Sequence, residues 1–416
     1  MKARWGLLLL LLLAWPRLGR GDDARSPNVA FGGQHRLRYE LLDQDGAERR
    51  SVMLSRNLLH ADARMTPELR AFGQVGGFYA LGLSAAEAEP PDADALDVTQ
   101  LFVEARAAIA GLRIQTRVGR QEMALGSTRW VSSRDGTNVR QSFDLVRTTI
   151  SNEKRFIVDA FFGVVPRLAK GVFDDAPALD DRFWGTYATI HVLPAKLLSF
   201  DAFYLGRTRP DVTYGEVHGR EVRHTFGTRI FGETSFGLEY VEHGLLQTGE
   251  IDGAPVRAWG LASALWQRLP GSLRIGVRGD ALSGDSRRND RRVGTFHPLF
   301  PNQTFFSALP AIYPSNLYDV HPILRWETKR TSLEAGCAFF WRQSLEDAVY
   351  RPPGQPVDVR ADGRGVGAQS AIAVMHRVDE HLVFNAEYAH LFAAHDLAEA
   401  GHGAIDFVGT WATYSY

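Results

Sequence analysis

Residues 34–41 read Gln-His-Arg-Leu-Arg-Tyr-Glu-Leu, a stretch in which nearly every polar side chain is followed by an apolar one. Successive side chains of a β-strand point to opposite faces of the sheet. As a strand, this stretch has one face that carries Arg36 and Arg38 and an opposite face that carries Leu37 and Tyr39. We therefore expect a strand between water on one side and an apolar medium on the other.

The same alternation returns along the whole chain, and helical periodicity is nearly absent. Further examples are residues 56–64, 100–106, 273–280 and 384–388. Repeated alternating windows of about ten residues, separated by turn residues, are typical of transmembrane barrel strands. A soluble antiparallel sandwich would alternate in the same way. The connections between the windows therefore have to distinguish a barrel from a sandwich.

These connections are expected to alternate between short turns and long loops. The short ones lie at residues 66–68, 110–111, 152–154, 194–196, 232–233, 269–271, 329–330 and 378–380. The long ones lie at residues 83–96, 125–142, 166–182, 208–222, 284–316, 343–365 and 393–405. Outer-membrane barrels have short periplasmic turns and long extracellular loops. The sequence therefore predicts an all-β, transmembrane antiparallel β-barrel of about 18 strands.

Both ends of the chain agree with export to the bacterial outer membrane. Lys2 and Arg4 precede the apolar run 7–13, and small residues follow it. This order predicts a signal peptide over residues 1–21, cleaved to leave a single barrel domain over 22–416. The final strand ends in the aromatic Tyr416, which resembles the signal that the outer-membrane assembly machinery reads.

The composition argues against several other classes of protein. Lys and Arg together number 47 and Asp and Glu 48 among 416 residues, so no nucleic-acid partner is predicted. Cys337 is the single cysteine, which excludes an intrachain disulfide and a cysteine-rich metal site. His390, His395 and His402 are spaced too loosely to predict a metal site. No spacing combines a nucleophile with its base, so we predict no catalytic residue and no cofactor.

Arginine dominates the polar faces, which in a barrel of this size surround an aqueous lumen. The candidates to line it are Arg36, Arg38, Arg64, Arg106, Arg117, Arg147, Arg229, Arg274, Arg278 and Arg325. Rings of arginine favour anionic solutes. An alternative remains open, in which these arginines pair with acidic residues such as Glu104 and Glu327 and only brace the wall.

The most specific segment is 119–149, GRQEMALGSTRWVSSRDGTNVRQSFDLVRTT, which resembles the bacterial alginate export family. The matching positions are Gly119, Arg120, Gln121, Glu122, Gly126, Arg129, Asn138, Arg140, Phe143, Asp144 and Arg147. Residues 294–301 and 409–411 also look like features of this family. Its members are outer-membrane barrels of eighteen strands.

The resemblance implies an electropositive pore in which the loop between the fifth and sixth strands folds inward. On this basis the residues expected to line or shape a constriction are Arg120, Arg129, Arg134, Asn138, Arg140, Asp144 and Arg147. The cargo expected for such a pore is an acidic, alginate-like polysaccharide or another anionic solute, which would cross by passive diffusion. The alternatives are a general porin and a barrel enzyme of the lipase or protease type.

The expected partners are outer-membrane lipid, lipopolysaccharide, the assembly machinery and periplasmic export proteins. The direction of transport and the oligomeric state stay open at this point.

Overall fold

The computed structural model describes residues 28–84, 86–152, 155–192, 197–359 and 363–416. Within these ranges, eighteen antiparallel strands form one closed sheet, so the predicted barrel of about 18 strands is confirmed. The barrel strands are β1 (Asn28–Gln44), β2 (Arg50–Arg64), β3 (Leu69–Leu81), β4 (Asp94–Ile109), β5 (Leu112–Glu122), β6 (Ser142–Asn152), β7 (Phe156–Arg167), β8 (Ala176–Val192), β9 (Leu198–Tyr214), β10 (Val217–Glu233), β11 (Leu238–Ile251), β12 (Ala254–Leu269), β13 (Leu273–Leu282), β14 (Leu317–Glu327), β15 (Thr331–Arg342), β18 (Gly365–Arg377), β19 (Leu382–Ala393) and β20 (Ile405–Ser415). A small hairpin of β16 (Val349–Arg351) and β17 (Gln355–Val357) and a short helix, α1 (His395–Glu399), lie in two of the loops.

The barrel closes between its first and last strands. β1 pairs antiparallel with β20, in a register that sets Gln34 opposite Ser415. Tyr416 donates its backbone N–H to the carbonyl oxygen of Gly33 over 3.1 Å, and Gly33 donates back to Tyr416 over 3.0 Å. Closure leaves the barrel sheet without a free edge, which a membrane-spanning sheet requires because lipid cannot satisfy backbone polar groups.

The predicted alternation of faces is confirmed along β1. Arg36 and Arg38 are each 4% exposed, whereas Leu37 between them is 58% exposed. β4 behaves in the same way, because Glu104 is fully buried and Leu101 is 60% exposed. The inner wall is therefore charged and the outer wall apolar, as the hydrocarbon of a bilayer demands. Within the described residues, no helix is long and apolar enough to cross a membrane.

The two ends of the barrel differ in their connections. We call the end that holds Asn28 and Tyr416 the turn end and the opposite end the loop end. Short links at the turn end are confirmed at residues 65–68, 110–111, 270–272, 328–330 and 378–381. The turn predicted at 232–233 lies inside β10, and the short link follows it at residues 234–237. The predicted turn at 152–154 lies partly outside the described residues, and the predicted turn at 194–196 and signal peptide 1–21 lie wholly outside them.

The predicted long loop at 208–222 is wrong. β9 and β10 run on to Tyr214 and Val217 and are joined by two residues. This part of the hairpin carries charged residues on neighbouring positions, so it lacks the alternation that identifies a membrane strand. The register between β9 and β10 shifts between Gly219 and Glu221, which leaves Pro210 without a partner in the ladder. Proline is tolerated at such a position because no backbone N–H is needed there. Strand also occupies much of 166–182, and the β11–β12 link at 252–253 is another tight hairpin, so long loops are not uniform at this end.

Two loops from the loop end fold into the lumen. We call residues 123–141 the constriction loop and residues 283–316 the plug loop. The plug loop crosses from wall to wall: the Phe300 ring lies 4.9 Å from those of Phe143 on β6 and Phe183 on β8. Farther along, Phe306 lies 4.8 Å from Phe340 on β15. Apolar side chains thus fill much of the loop-end half of the lumen, beside the buried ion pairs of Glu221 with Arg209 and Arg223.

Candidate pore constriction

Two of the cavities formed by the described residues lie in the lumen beside the folded-in loops. The larger, which we call the vestibule, has a volume of about 750 Å³ and is lined by Arg36, Arg38, Arg56 and Trp411. The smaller, of about 280 Å³, lies among plug-loop residues and includes Arg134. Asn302 and Thr137 lie at this boundary, since Asn302 lines both cavities and Thr137 lines the smaller one. The two cavities therefore meet where the constriction loop and the plug loop come together.

The constriction and plug loops touch directly. Ser132 donates its N–H to the Phe300 carbonyl, and Phe300 donates its own to the Trp130 carbonyl, each over 3.0 Å. A Cβ added to Gly136 would lie 2.9 Å from the Cβ of Gln303. Only a residue without a side chain leaves room for the Gln303 side chain at this distance. Any opening of the pore at this level has to separate these segments.

Three arginines of the wall hold the constriction loop by its backbone. Arg36 donates to the carbonyl oxygens of Asp135 and Thr137, each over 2.7 Å. Arg56 donates to the same two carbonyls, also over 2.7 Å each, and to the Asp135 carboxylate over 2.6 Å. Arg38 donates to the Gly136 carbonyl over 2.7 Å. Guanidinium groups present several donors in a fixed fork, so these contacts fix both the position and the direction of the loop.

Asn138 is also an anchor of the constriction loop. Its side-chain amide donates to the carbonyl oxygens of Ser55 (3.1 Å), Tyr79 (3.4 Å) and Asp92 (2.9 Å), and the residue is fully buried. These three acceptors belong to β2, to β3 and to the loop before β4. The predicted role of Asn138 in shaping the constriction thus has a geometric basis, although its amide faces the wall.

Arg134 and Arg140 lie on opposite flanks of the constriction loop. Arg134 donates to the Pro301 carbonyl of the plug loop over 3.4 Å. Burial lowers the pKa of Arg134, yet arginine stays protonated in proteins. Arg140 pairs with Glu122 at 3.0 Å and with Asp135 at 3.4 Å. Burial alone would raise the pKa of Asp135, but its arginine neighbours lower it below the ordinary value.

Arg129 and Arg147 are each held by a carboxylate of the wall. Arg129 reaches from the constriction loop to Asp280 on β13, and its guanidinium lies 4.3 Å from the centre of the Phe305 ring. Arg147 pairs with Asp159 on the neighbouring β7 over 2.8 Å. Both side chains face the lumen, but their charges are compensated.

Arg120 and Asp144 do not face the lumen, and their expected place in the constriction is wrong. Alternation along β5 and β6 sets them on the faces of Val118 and Val146, which are 51% and 47% exposed on the outer wall. They bind each other over 2.7 Å, and Arg120 also contacts Asp175 at 3.3 Å. The resemblance identified the segment correctly, but it could not tell which strand face each residue occupies.

Among the described residues, the remaining predicted lumen arginines form ion pairs with carboxylates of the same or another strand, apart from Arg64. Arg106 and Arg117 both bind Glu104, each over 2.6 Å. Arg274 binds Glu239 and Glu327, Arg278 binds Glu334, Arg325 binds Glu334 and Glu327, and Arg229 binds Asp201. Arg64 ends β2 and is exposed at the turn end. Most of these arginines are therefore paired with acidic residues and brace the wall, as in the alternative left open by the sequence.

The vestibule differs from that wall in its charge. Its lining includes Arg36, Arg38, Arg56 and Arg377, against the carboxylates of Asp135 and Glu380. Arg36 makes no ion pair among the described residues, because its bonds go to backbone carbonyls. Arg38 pairs with Glu40 at 2.5 Å and Arg56 with Asp135 at 2.6 Å, so the positive charge left uncompensated next to the contact between the loops is that of Arg36.

Some residues of this site were not among those expected from the sequence. Arg56 lies directly opposite Arg36 in the β1–β2 register, and its place on a polar strand face was the signal that could have identified it. Gly136 and Asn302 offered no such signal, because their importance depends on two loops that are distant in sequence and meet only in the folded chain.

Solved structures with the same fold are outer-membrane barrels. OpdO of Pseudomonas aeruginosa has 11% sequence identity and a TM-score of 0.64, over 94% of this chain and 97% of that one. OccAB1 of Acinetobacter baumannii has 12% identity and a TM-score of 0.64, over 93% and 96%. OccK2 of Pseudomonas aeruginosa, solved in complex with glucuronate, has 11% identity and a TM-score of 0.62, over 93% and 98%.

A comparison with curated protein sequences found no match. The sequence profile described as "Alginate export" matches residues 28–409, nearly all of the described chain. This match and the porin-like barrel together indicate an outer-membrane channel rather than an enzyme. The chain belongs to the alginate export family.

Proposed function

We propose that this channel favours anions and passes an acidic polysaccharide, or smaller anionic solutes, by passive diffusion. The observation that carries the proposal is that Arg36 and Arg134, on the two sides of the contact between the loops, donate to backbone carbonyls and make no ion pair among the described residues. Arg36, Arg38 and Arg56 lie on the vestibule side of this contact, and Arg134 lines the cavity on the other side. An anion that crosses the contact would leave one arginine group and meet another.

The chemistry of arginine supports carboxylate cargo in particular. A guanidinium group binds a carboxylate through two parallel hydrogen bonds, which a lysine cannot reproduce. The Arg36 guanidinium donates its hydrogen bonds to backbone carbonyls, which do not neutralise its charge. Its field therefore remains available to a passing anion. The Trp411 ring, stacked 4.8 Å from the Arg38 guanidinium, adds an apolar surface beside these charges.

The test is the reversal potential of single channels in a planar bilayer under a potassium chloride gradient. The wild-type channel is expected to prefer chloride over potassium. Replacing Arg36→Gln together with Arg134→Gln removes two charges of the site and should reduce that preference several-fold. The matched control, Arg274→Gln with Arg325→Gln, removes two arginines that are already paired with glutamates and should leave the preference nearly unchanged.

A further variant separates charge from anchoring. Arg36→Lys keeps the positive charge but loses the forked contact with the constriction loop, so it should keep the anion preference while its current becomes noisier. A wild-type channel that prefers potassium would contradict the proposal. So would a control pair that changes the selectivity as much as the Arg36 and Arg134 pair.

The cargo class can be tested on the same channels. Glucuronate, the ligand in the OccK2 structure, and short polyuronate chains should block the chloride current at lower concentrations than neutral sugars of equal length. Block by glucuronate without stronger block by the longer chains would favour a porin for small anions. Equal block by neutral and acidic sugars would favour a general porin.

We also propose that the outer wall contacts lipid and lipopolysaccharide and that Tyr416 is read during assembly. The apolar outer face supports the first proposal, since Leu37 and Leu101 are more than half exposed. Removing the terminal aromatic, as in Tyr416→Ala, should slow insertion into the membrane in cells. A normal rate of insertion would count against a role for Tyr416. Periplasmic export partners remain a proposal that a crosslinking experiment can test.

A further inference from the structure

A group of carboxylates lies where the wall meets the loop between β7 and β8, outside the pore. Asp94 and Asp97 begin β4, and Asp175 ends that loop. One oxygen atom of each of the three carboxylates lies within 4.8 Å of the others. The loop runs alongside the start of β4, where Phe173 donates its N–H to the Leu96 carbonyl over 2.9 Å.

Asp94 provides a second observation, independent of the clustering. The residue is only 1% exposed, and its Oδ1 atom has no hydrogen-bond partner among the described residues. Its strongest charged neighbours are the carboxylates of Asp175, Asp97 and Asp174. A buried carboxylate oxygen without a donor costs free energy unless a cation or a donor compensates it.

The basic side chains nearby do not supply that compensation. Arg120 contacts Asp175 at 3.3 Å, but it also forms a two-bonded pair with Asp144. Lys170 of the same loop binds Glu89. Asp97 accepts from the backbone N–H groups of Val98, Asp174 and Asp175, and Asp175 accepts from that of Ala169. These donors carry no net charge, so one arginine, shared with Asp144, stands against the carboxylates of Asp94, Asp97 and Asp175.

We propose that Asp94, Asp97 and Asp175 bind a divalent cation, with Ca²⁺ as the favoured ion. Ca²⁺ takes six to eight oxygen ligands in flexible geometry, with carboxylates among them, and ligand atoms within 4.8 Å of one another can surround it. Mg²⁺ demands near-ideal octahedral geometry, keeps several waters and is usually held by one or two carboxylates, so three carboxylates favour Ca²⁺. Bound Ca²⁺ would fix the β7–β8 loop against β4 where β5 and β6 turn inward to the constriction loop.

The experiment uses the full-length barrel refolded in a zwitterionic detergent without lipopolysaccharide, which would itself bind divalent cations. Terbium luminescence, excited through the aromatic residues of the barrel, reports occupancy and displacement by Ca²⁺. Unfolding temperature is measured with 1 mM CaCl₂ (about this concentration saturates weak extracellular sites) and again with EGTA. The wild type is expected to bind Tb³⁺, to release it to Ca²⁺ more readily than to Mg²⁺, and to unfold at a higher temperature with Ca²⁺.

Asp94→Asn keeps the size of the side chain and removes its charge, so it should weaken Tb³⁺ and Ca²⁺ binding at least tenfold and abolish the calcium-dependent shift. Asp290→Asn, on the exposed part of the plug loop, is the matched control and should behave as the wild type. No Tb³⁺ signal and no calcium-dependent shift in the wild type would overturn the proposal. Equal binding by wild type and Asp94→Asn would overturn it as well, because the ion would then be elsewhere.

Discussion

The two halves of the lumen are filled by opposite kinds of side chain. In the loop-end half, the plug loop packs Phe296, Phe300 and Phe306 against the inner wall as in the core of a soluble protein. In the turn-end half, arginines and carboxylates face one another across the strands, and the vestibule stays open. Apolar packing can close a lumen without a net charge, whereas a charged wall keeps it wet. The same barrel thus combines a half closed mainly by apolar packing and a half that keeps an open, charged vestibule.

The largest effect is expected from the apolar half. Phe300→Ala removes a ring that is 2% exposed and touches Phe143 and Phe183. Such truncations cost about 3–5 kcal/mol, so urea unfolding of the barrel in lipid vesicles should begin at a lower concentration. Single-channel conductance should rise as the plug loop loosens.

The control for this prediction is Phe236→Ala. Phe236 is 68% exposed at the turn end. Its removal should therefore change neither the urea concentration at which unfolding begins nor the single-channel conductance. If Phe300→Ala left both the unfolding curve and the conductance unchanged, the plug loop would not be packed as described, and the contrast between the halves would disappear.

Glu104→Gln should have the next largest effect, in the charged half. The Glu104 carboxylate is fully buried and contacts Arg106 and Arg117 at 2.6 Å and Arg70 at 3.6 Å. Neutralising it leaves three guanidinium groups to repel one another, and breaking such a buried pair costs about 3 kcal/mol. The free energy of unfolding in urea measures the loss. Glu327→Gln, at a carboxylate that is 41% exposed, should cost much less.

Acid should weaken the apolar half through His297 of the plug loop. Complete burial, and then nearby arginines, lower its pKa well below the ordinary value. The unfolded chain takes up a proton at about pH 6.5 and the folded protein does not, so stability falls as the pH drops below that value. At pH 5 the loss is up to about 2 kcal/mol.

The measurement is the difference in unfolding free energy between pH 7.5 and pH 5, compared with His297→Asn. The two backbone contacts of His297 with Gln247 persist in this variant, and its pH dependence should be smaller. An identical pH dependence in both proteins would place the acid sensitivity elsewhere.

The smallest effect is expected at the balanced part of the wall. Arg325 pairs with Glu334 and Glu327, and its side chain is 28% exposed. Partly exposed ion pairs contribute about 0–1 kcal/mol, so Arg325→Gln should unfold within 1 kcal/mol of the wild type and keep the same anion preference. A large change in selectivity would mean that the glutamates do not neutralise this arginine.

How much of the site the sequence predicts depends on the kind of contact involved. Arg36, Arg38 and Arg117 could be assigned to the lumen because strand alternation is a local property. Arg120 and Asp144 were misplaced because a matching motif identifies a segment but not the face of each residue. Gly136 and Asn302 could not be found at all, since their role arises from a contact between two loops far apart in the chain.

The sequence alone determined the barrel, its number of strands and its charged inner face. These features follow from the alternation of polar and apolar side chains along each strand. The bilayer requires the outward-facing half of these side chains to be apolar. Only the tertiary structure decided which arginines are neutralised, which loops enter the lumen and where a cavity remains. Those features depend on partners that come from different strands and loops, and no local pattern records which partner a side chain will meet.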